Sequence, residues 1–166
     1  MTHPDVLASA RSAAGGERQV LEASLDLQRA IMRRKAAGLS AEEAQRSFVP
    51  SATTIAGLLK HLAIVENIWF EQILAQQPSP LPDPDATFAV GAEESVEELI
   101  AAYDAACARS REIAAKFELD HLVPQAQLGQ VSLRWIYAHM IEETARHAGH
   151  ADILRELTDG ATGLLG

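Results

Sequence analysis

Five histidine and glutamate side chains fall within twelve positions of the stretch WIYAHMIEETARHAGHADILRE, residues 135–156: His139, Glu142, Glu143, His147 and His150. Glu143 and His147 are four residues apart, one helical turn, so both can point at a single ion. At about 100° per residue, with His139 at zero, Glu143 lies near 40°, His147 near 80° and His150 near 20°. Leu154 and Leu157 fall at about 60° and 0° and Trp135 at about −40°, so this stripe is expected to be the buried one. Glu142, Arg146 and Arg155 project elsewhere and read as surface charges and intrahelical pairs. Burying an unpaired carboxylate costs several kcal/mol, so Glu143 beside imidazoles requires a partner, and a divalent cation suits both ligand types. His61, in GLLKHLAIVENIWF, stands among Leu58, Leu62, Val65 and Trp69 on an apolar helical side and can supply a third ligand. Three ligands with open positions describe a catalytic metal rather than a structural one. The residues alone leave a second reading open, in which His139, Glu143 and His147 form hydrogen-bonded pairs that only brace the helix.

Spacing excludes several other chemistries. The di-iron pattern needs Glu-x-x-His on two helices, but Arg146 follows Glu143 at that offset and Ala145 follows Glu142. His139 is followed by Met140, so there is no H-E-x-x-H, and no G-x-S-x-G occurs. Cys107, the sole cysteine, sits in a helical stretch without a His or Asn in register and reads as a small buried or half-buried residue. His3 and His121 lie in loop contexts and carry no signal, while Trp69 and Trp135 read as core or pocket walls.

Four long helices can position these groups. Residues 17–37 carry apolar positions at Val20, Leu21, Leu25, Leu27, Ala30 and Ile31 and stop at Gly38. Ser40 and Glu43 form a capping box for a short extra helix, expected to run to about Ser47 before Pro50. The second long helix begins after Ser51 or Thr53 and continues to the loop PSPLPDPD. A third spans about 94–117, opened by Ser95 and Glu98, and a fourth runs from Ser132 to Gly160. Between them ELDHLVPQAQLGQV is a looser crossing, and nothing alternates well enough for a strand. The expected fold is therefore all-α, an antiparallel four-helix bundle in a single domain over residues 1–166, with GATGLLG as a docked or frayed end.

At 166 residues and 48% hydrophobic, the chain matches an ordinary globular protein that needs no metal to hold together. A net charge of −9 argues against nucleic acid, since the only dense basic group is Arg33–Lys35, which reads as a solvated helix end. No apolar run reaches the roughly 18 residues of a membrane span and the first residues lack a signal-peptide core, so a cytoplasmic protein without membrane contact is expected.

LLKHLAIVENIWF and SLRWIYAHMIEETARHAGHADILRELTDGATG resemble the DinB superfamily. LSAEEAQRSFVPSATTIAGLLKHL is similar to a DinB-like or mini-circle branch of actinobacteria. The resemblance covers about residues 17–163 and implies a four-helix bundle, often a homodimer, with a divalent metal held by a His of the second helix and a pair four apart on the last. The pair is similar to the Glu-x-x-x-His of mycothiol-dependent maleylpyruvate isomerase, which implies His61, Glu143 and His147 as metal ligands. His150 stands where many relatives have Gln. His150 is then a candidate fourth ligand, an outer partner that orients Glu143 or an acid/base group, and His139 a candidate outer partner of the ligands or acid/base group. The implied activity is that of a transferase or isomerase in which a metal-activated thiolate, from mycothiol or a similar small thiol, meets an electrophilic substrate. Zinc is the first expectation, with nickel, iron or manganese fitting the same ligands. A metal-dependent hydrolase and a non-enzymatic dimeric scaffold are the alternatives.

Overall fold

A computed structural model describes residues 4–163; His3 and the last three residues of GATGLLG lie outside them. Helix α1 spans Pro4–Ser12, α2 Glu17–Ala36, α3 Ala41–Ala44 and α4 Ile55–Glu66. Helix α4 runs directly into a π-helical segment, Asn67–Leu74, and a 3₁₀ turn follows at Asp85–Phe88. Helix α5 is Val96–Ala114, strands β1 and β2 are Leu122–Gln125 and Gly129–Ser132, and α6 is Leu133–Asp159. The described residues are thus mostly helical, and none of their helices is long and apolar enough to cross a membrane.

The expected helix boundaries rest on local chemistry. Both capping boxes form, Ser40 with Glu43 and Ser95 with Glu98, the serine oxygen accepting the N–H while the glutamate turns back to the serine N–H. Ser132 accepts the N–H of Trp135 at the start of α6, and Gly160 ends that helix at φ +78°. Three boundaries differ. Thr54, rather than Ser51 or Thr53, caps α4 by accepting the Gly57 N–H. Helix α3 stops at Ala44, short of Ser47. The second long helix changes to π geometry after Glu66 and ends beside Gln76, at φ +53°.

The crossing before α6 contains a small antiparallel hairpin, which corrects a purely all-α expectation: Val123 pairs with Val131 and both are buried, while Gln125 faces Gly129 at φ +80°. Four-residue strands are too short for alternation to register in the sequence.

The core consists of two apolar clusters. One gathers Met32, Leu59, Leu62, Tyr103 and Leu154; the other gathers Leu25, Phe70, Ile113, Ile136 and Met140. At the level between them each long helix contributes a buried polar residue: Arg29 from α2, Glu66 from α4, Ser110 from α5 and Thr144 from α6. Arg29 binds Glu66 through two bonds, Nε to Oε1 at 2.7 Å and Nη2 to Oε2 at 2.6 Å, while its Nη1 reaches Asp26 at 2.8 Å. The basic triplet is not wholly solvated: Lys35 is buried against Asp152 at 2.8 Å and donates to the Gly163 carbonyl, whereas Arg33 lies exposed on Asp104.

Helix α6 buries Leu133, Ile136, Tyr137, Met140, Thr144, Ala148, Ala151 and Leu154. That stripe is rotated roughly a quarter turn from the ionisable one. Leu157 is 56% exposed and Trp135 38%, so the expectation that they mark the core face is corrected. Ala148 and Ala151 let a neighbouring helix approach closely, yet small residues carry little hydropathy signal. The ionisable groups therefore flank the core.

Candidate metal centre

Three elements meet around His61. The ring projects from the second turn of α4 toward α6, where Glu143 and His147 lie one turn apart. One ligating atom from each of the three residues lies within 4.8 Å of the other two. His61 Nε2 is 3.3 Å from Glu143 Oε1, and His147 Nε2 is 3.0 Å from the same oxygen. All three side chains are partly buried, with 13%, 22% and 12% exposure for His61, Glu143 and His147.

The third element is the 3₁₀ turn. Thr87 Oγ1 donates its only proton to the Pro84 carbonyl at 2.6 Å, so at 2.8 Å from His61 Nδ1 it acts as acceptor. The tautomer of a neutral His61 follows: Nδ1 carries the hydrogen and Nε2 presents a lone pair to the Glu143 carboxylate. Two acceptors facing each other need a cation between them, either a proton on His61 or a metal ion. Phe88 of the same turn stacks on the imidazole, ring centres 4.1 Å apart and planes within 10°. Gly57 makes this approach possible, because a Cβ there would lie 2.8 Å from the Phe88 carbonyl oxygen.

His147 and then His61, hydrogen-bonding to Glu143, hold its carboxyl well below the usual carboxylate range. His150 is exposed, with its Nδ1 3.4 Å from Nδ1 of His147. Partial burial lowers the His150 pKa, so its neutral, proton-accepting form is favoured. His139 is placed differently from an outer partner of Glu143. Its ring packs against both Trp69 and Trp135, at centroid distances of 4.5 and 5.0 Å, and burial lowers its pKa. Glu142 and Arg146 form the expected exposed pair at 2.8 Å. Arg155 is less free than expected, donating to the Lys35 and Ala37 carbonyls as well as to Asp159. Cavities of about 560 and 250 Å³ open along α2 and α5 beside Arg29 and Arg111, and no triad residue lines either one.

Sequence reasoning missed Thr87, Phe88 and Gly57. Only a glycine in the apolar first turn of a helix hinted that another backbone packs there.

Residues 20–160, most of the chain, match the family described as mycothiol-S-transferase. The chain belongs to the mycothiol S-transferase family. This places it within the DinB-like superfamily that its histidine-bearing helices resemble. Among solved structures, the conserved protein of locus from Enterococcus faecalis superposes with a TM-score of 0.66 over 89% of this chain and 100% of that one. At 19% identity that likeness concerns the fold alone. No curated protein matches this mycothiol S-transferase family member.

Proposed function

We propose that the protein is a divalent-metal-dependent thiol S-transferase in which His61, Glu143 and His147 hold the ion. The single observation behind this reading is the Thr87-set tautomer of His61, which turns an imidazole lone pair toward a carboxylate that also faces a second imidazole. Two neutral imidazoles and one carboxylate suit zinc first, with nickel, iron or manganese accommodated by the same atoms. A cation held there supplies the positive charge that keeps an incoming thiol deprotonated near neutral pH.

The chain's own groups do the rest. His150 accepts the thiol proton at Nε2 and passes it to water, since it stands exposed beside His147. The thiolate sulfur then forms a bond to an electrophilic carbon. Where that carbon carries a leaving group, the group departs with the bonding pair; where it belongs to an activated double bond, the displaced pair takes up a proton. Thr87 and Phe88 keep the His61 ring from rotating, and the exposed side of the triad admits both reactants. The thiol of the reading is mycothiol, in keeping with the family. Helices α2, α4 with its π extension, α5 and α6 are read as the four-helix bundle of that superfamily, working as a cytoplasmic homodimer.

Metal analysis of the purified protein tests the proposal. Near-stoichiometric divalent metal is expected in the parent and lost in both His61→Ala and His147→Ala. Mycothiol conjugation to a generic electrophile is expected to disappear with it. A metal-free parent whose stability matches both variants overturns the reading, and turnover that needs no added thiol overturns the transferase assignment.

A further inference from the structure

We propose that Trp69, His139 and Trp135 form the recognition face for the second substrate, and that this substrate is a planar, uncharged aromatic or conjugated electrophile. The inference rests on the S-transferase reading of the triad. Trp135 and His139, one turn apart on α6, lie with their rings parallel to within 6° at 5.0 Å. Trp69, from the π-helical segment, packs against both, 5.4 Å from Trp135 and 4.5 Å from His139.

Trp69 packs on the edge of the core, but the aromatics that fill it are its neighbour Phe70 and, two positions from Trp135, Tyr137. Phe70 and Tyr137 are buried and meet edge to face at 5.9 Å. The outer rings are only half-buried, and Trp135 keeps 38% of its surface in solvent. An i→i+5 segment has poorer hydrogen-bond geometry than an α-helix and tends to persist where it orients a functional side chain. Within it consecutive residues divide, Phe70 inward and Trp69 toward His139 and Trp135 of α6.

The face continues the triad. Positions 135, 139, 143 and 147 descend α6 in steps of one turn, so His139 stands about 6 Å and Trp135 about 12 Å along the axis from Glu143. Its charge pattern selects the ligand. Glu71 is paired with Arg109, Arg134 with Glu17 and Asp120, and Glu142 with Arg146. A substrate carboxylate would meet no spare cation on this face among the described residues, and the net charge of −9 repels anions further. What the face offers is ring surface, which recognises flat π-systems by stacking.

The chain's two tryptophans are both in this cluster, so intrinsic fluorescence reads it directly. Titration of the metal-loaded protein with 2,4-dinitrotoluene, a planar nitroarene without a leaving group, is expected to give saturable quenching beyond that of free tryptophan. Trp135→Leu should weaken this binding about two- to tenfold and Trp135→Phe should restore most of it. In mycothiol conjugation, 1-chloro-2,4-dinitrobenzene loses chloride as the sulfur–carbon bond forms and the thiol proton leaves to buffer. Its KM should rise in Trp135→Leu by a similar factor with kcat nearly unchanged, while the rate with iodoacetamide, which has no ring, should not change. Quenching no greater than that of free tryptophan, or equal effects on both electrophiles, overturns the proposal. Saturable quenching without conjugation of either compound supports the aromatic face and overturns the S-transferase reading instead.

Discussion

Replacing Gly57 with alanine should weaken the candidate metal centre without touching a ligand. In the middle of an exposed helix this change stabilises by roughly 0.4–1 kcal/mol. Here the added Cβ would sit 2.8 Å from the Phe88 carbonyl oxygen and 3.1 Å from that of Ala52. Both are backbone atoms, so relief requires the turn at Asp85–Phe88 to withdraw from α4. Withdrawal stretches the 2.8 Å bond between His61 and Thr87 and unstacks Phe88 from the imidazole. Losing the hydrogen bond costs about 1 kcal/mol and losing the stack about as much again, which together outweigh the helix-propensity gain. The expected balance is a net destabilisation of about 1 kcal/mol, a fall in Tm of about 2–4 °C. Metal affinity should drop about tenfold, because the ring loses the partner that fixes its tautomer. Competition titration with a chromophoric chelator measures the affinity, and a thermal melt of the chelated protein isolates the stability change. If Gly57→Ala melts above the parent and binds metal equally well, the turn does not hold His61 and the tautomer argument fails.

Thr87→Val should keep the fold but reduce metal affinity about 10- to 100-fold by the same chelator assay; unchanged affinity would remove Thr87 from the site. Arg29→Met alone should destabilise by about 3–5 kcal/mol in urea unfolding, because it leaves Glu66 charged and buried, while Arg29→Met with Glu66→Leu should recover most of that loss. Equal losses in the single and double variants would contradict the pairing. Burial, reinforced by Glu66, pushes the Cys107 thiol up to about 12, so the native protein should resist a thiol reagent at pH 8 and react only as it unfolds. Rapid labelling without unfolding would show the thiol to be accessible. The native state then keeps a proton that the unfolded chain releases near pH 9, so stability should fall from pH 9 toward 12, less steeply in Cys107→Ala. A slope identical in the two proteins would assign the alkaline loss to other groups.

The pairing of Glu143 with His147 was legible because helical spacing fixes which side chains share a face, and His61 was legible from its apolar surroundings and from the family resemblance of its helix. Serine caps and the glycine stop were legible for the same local reason. The depth of that face was not. Thr144, Ala148 and Ala151 define the buried side of α6, and a hydropathy reading favours Leu157 over such small residues. The π segment was hidden because Ile68, Trp69, Phe70, Ile73 and Leu74 satisfy a helical pattern whichever way the backbone bonds. Thr87 lies beyond the proline loop, where no period connects it to His61, and its role depends on space left by Gly57 some thirty positions earlier. Lys35 looked solvated because its neighbours Arg33 and Arg34 are charged, whereas the approach of Asp152 depends on tertiary packing.

The polar layer across the core also bears on the height at which the helices are set. Each long helix has its polar residue at one level, with apolar neighbours above and below. If α4 slipped along its axis by one turn, about 5.4 Å, Glu66 would leave the Arg29 guanidinium and two charges would stand against hydrocarbon. The pair thus works as a vernier on the helices, excluding shifted alignments that the apolar residues alone would tolerate. His61 sits five residues before Glu66, and Glu143 directly before Thr144. The pair that aligns the core therefore also fixes the height at which His61 meets Glu143 and His147 across α4 and α6.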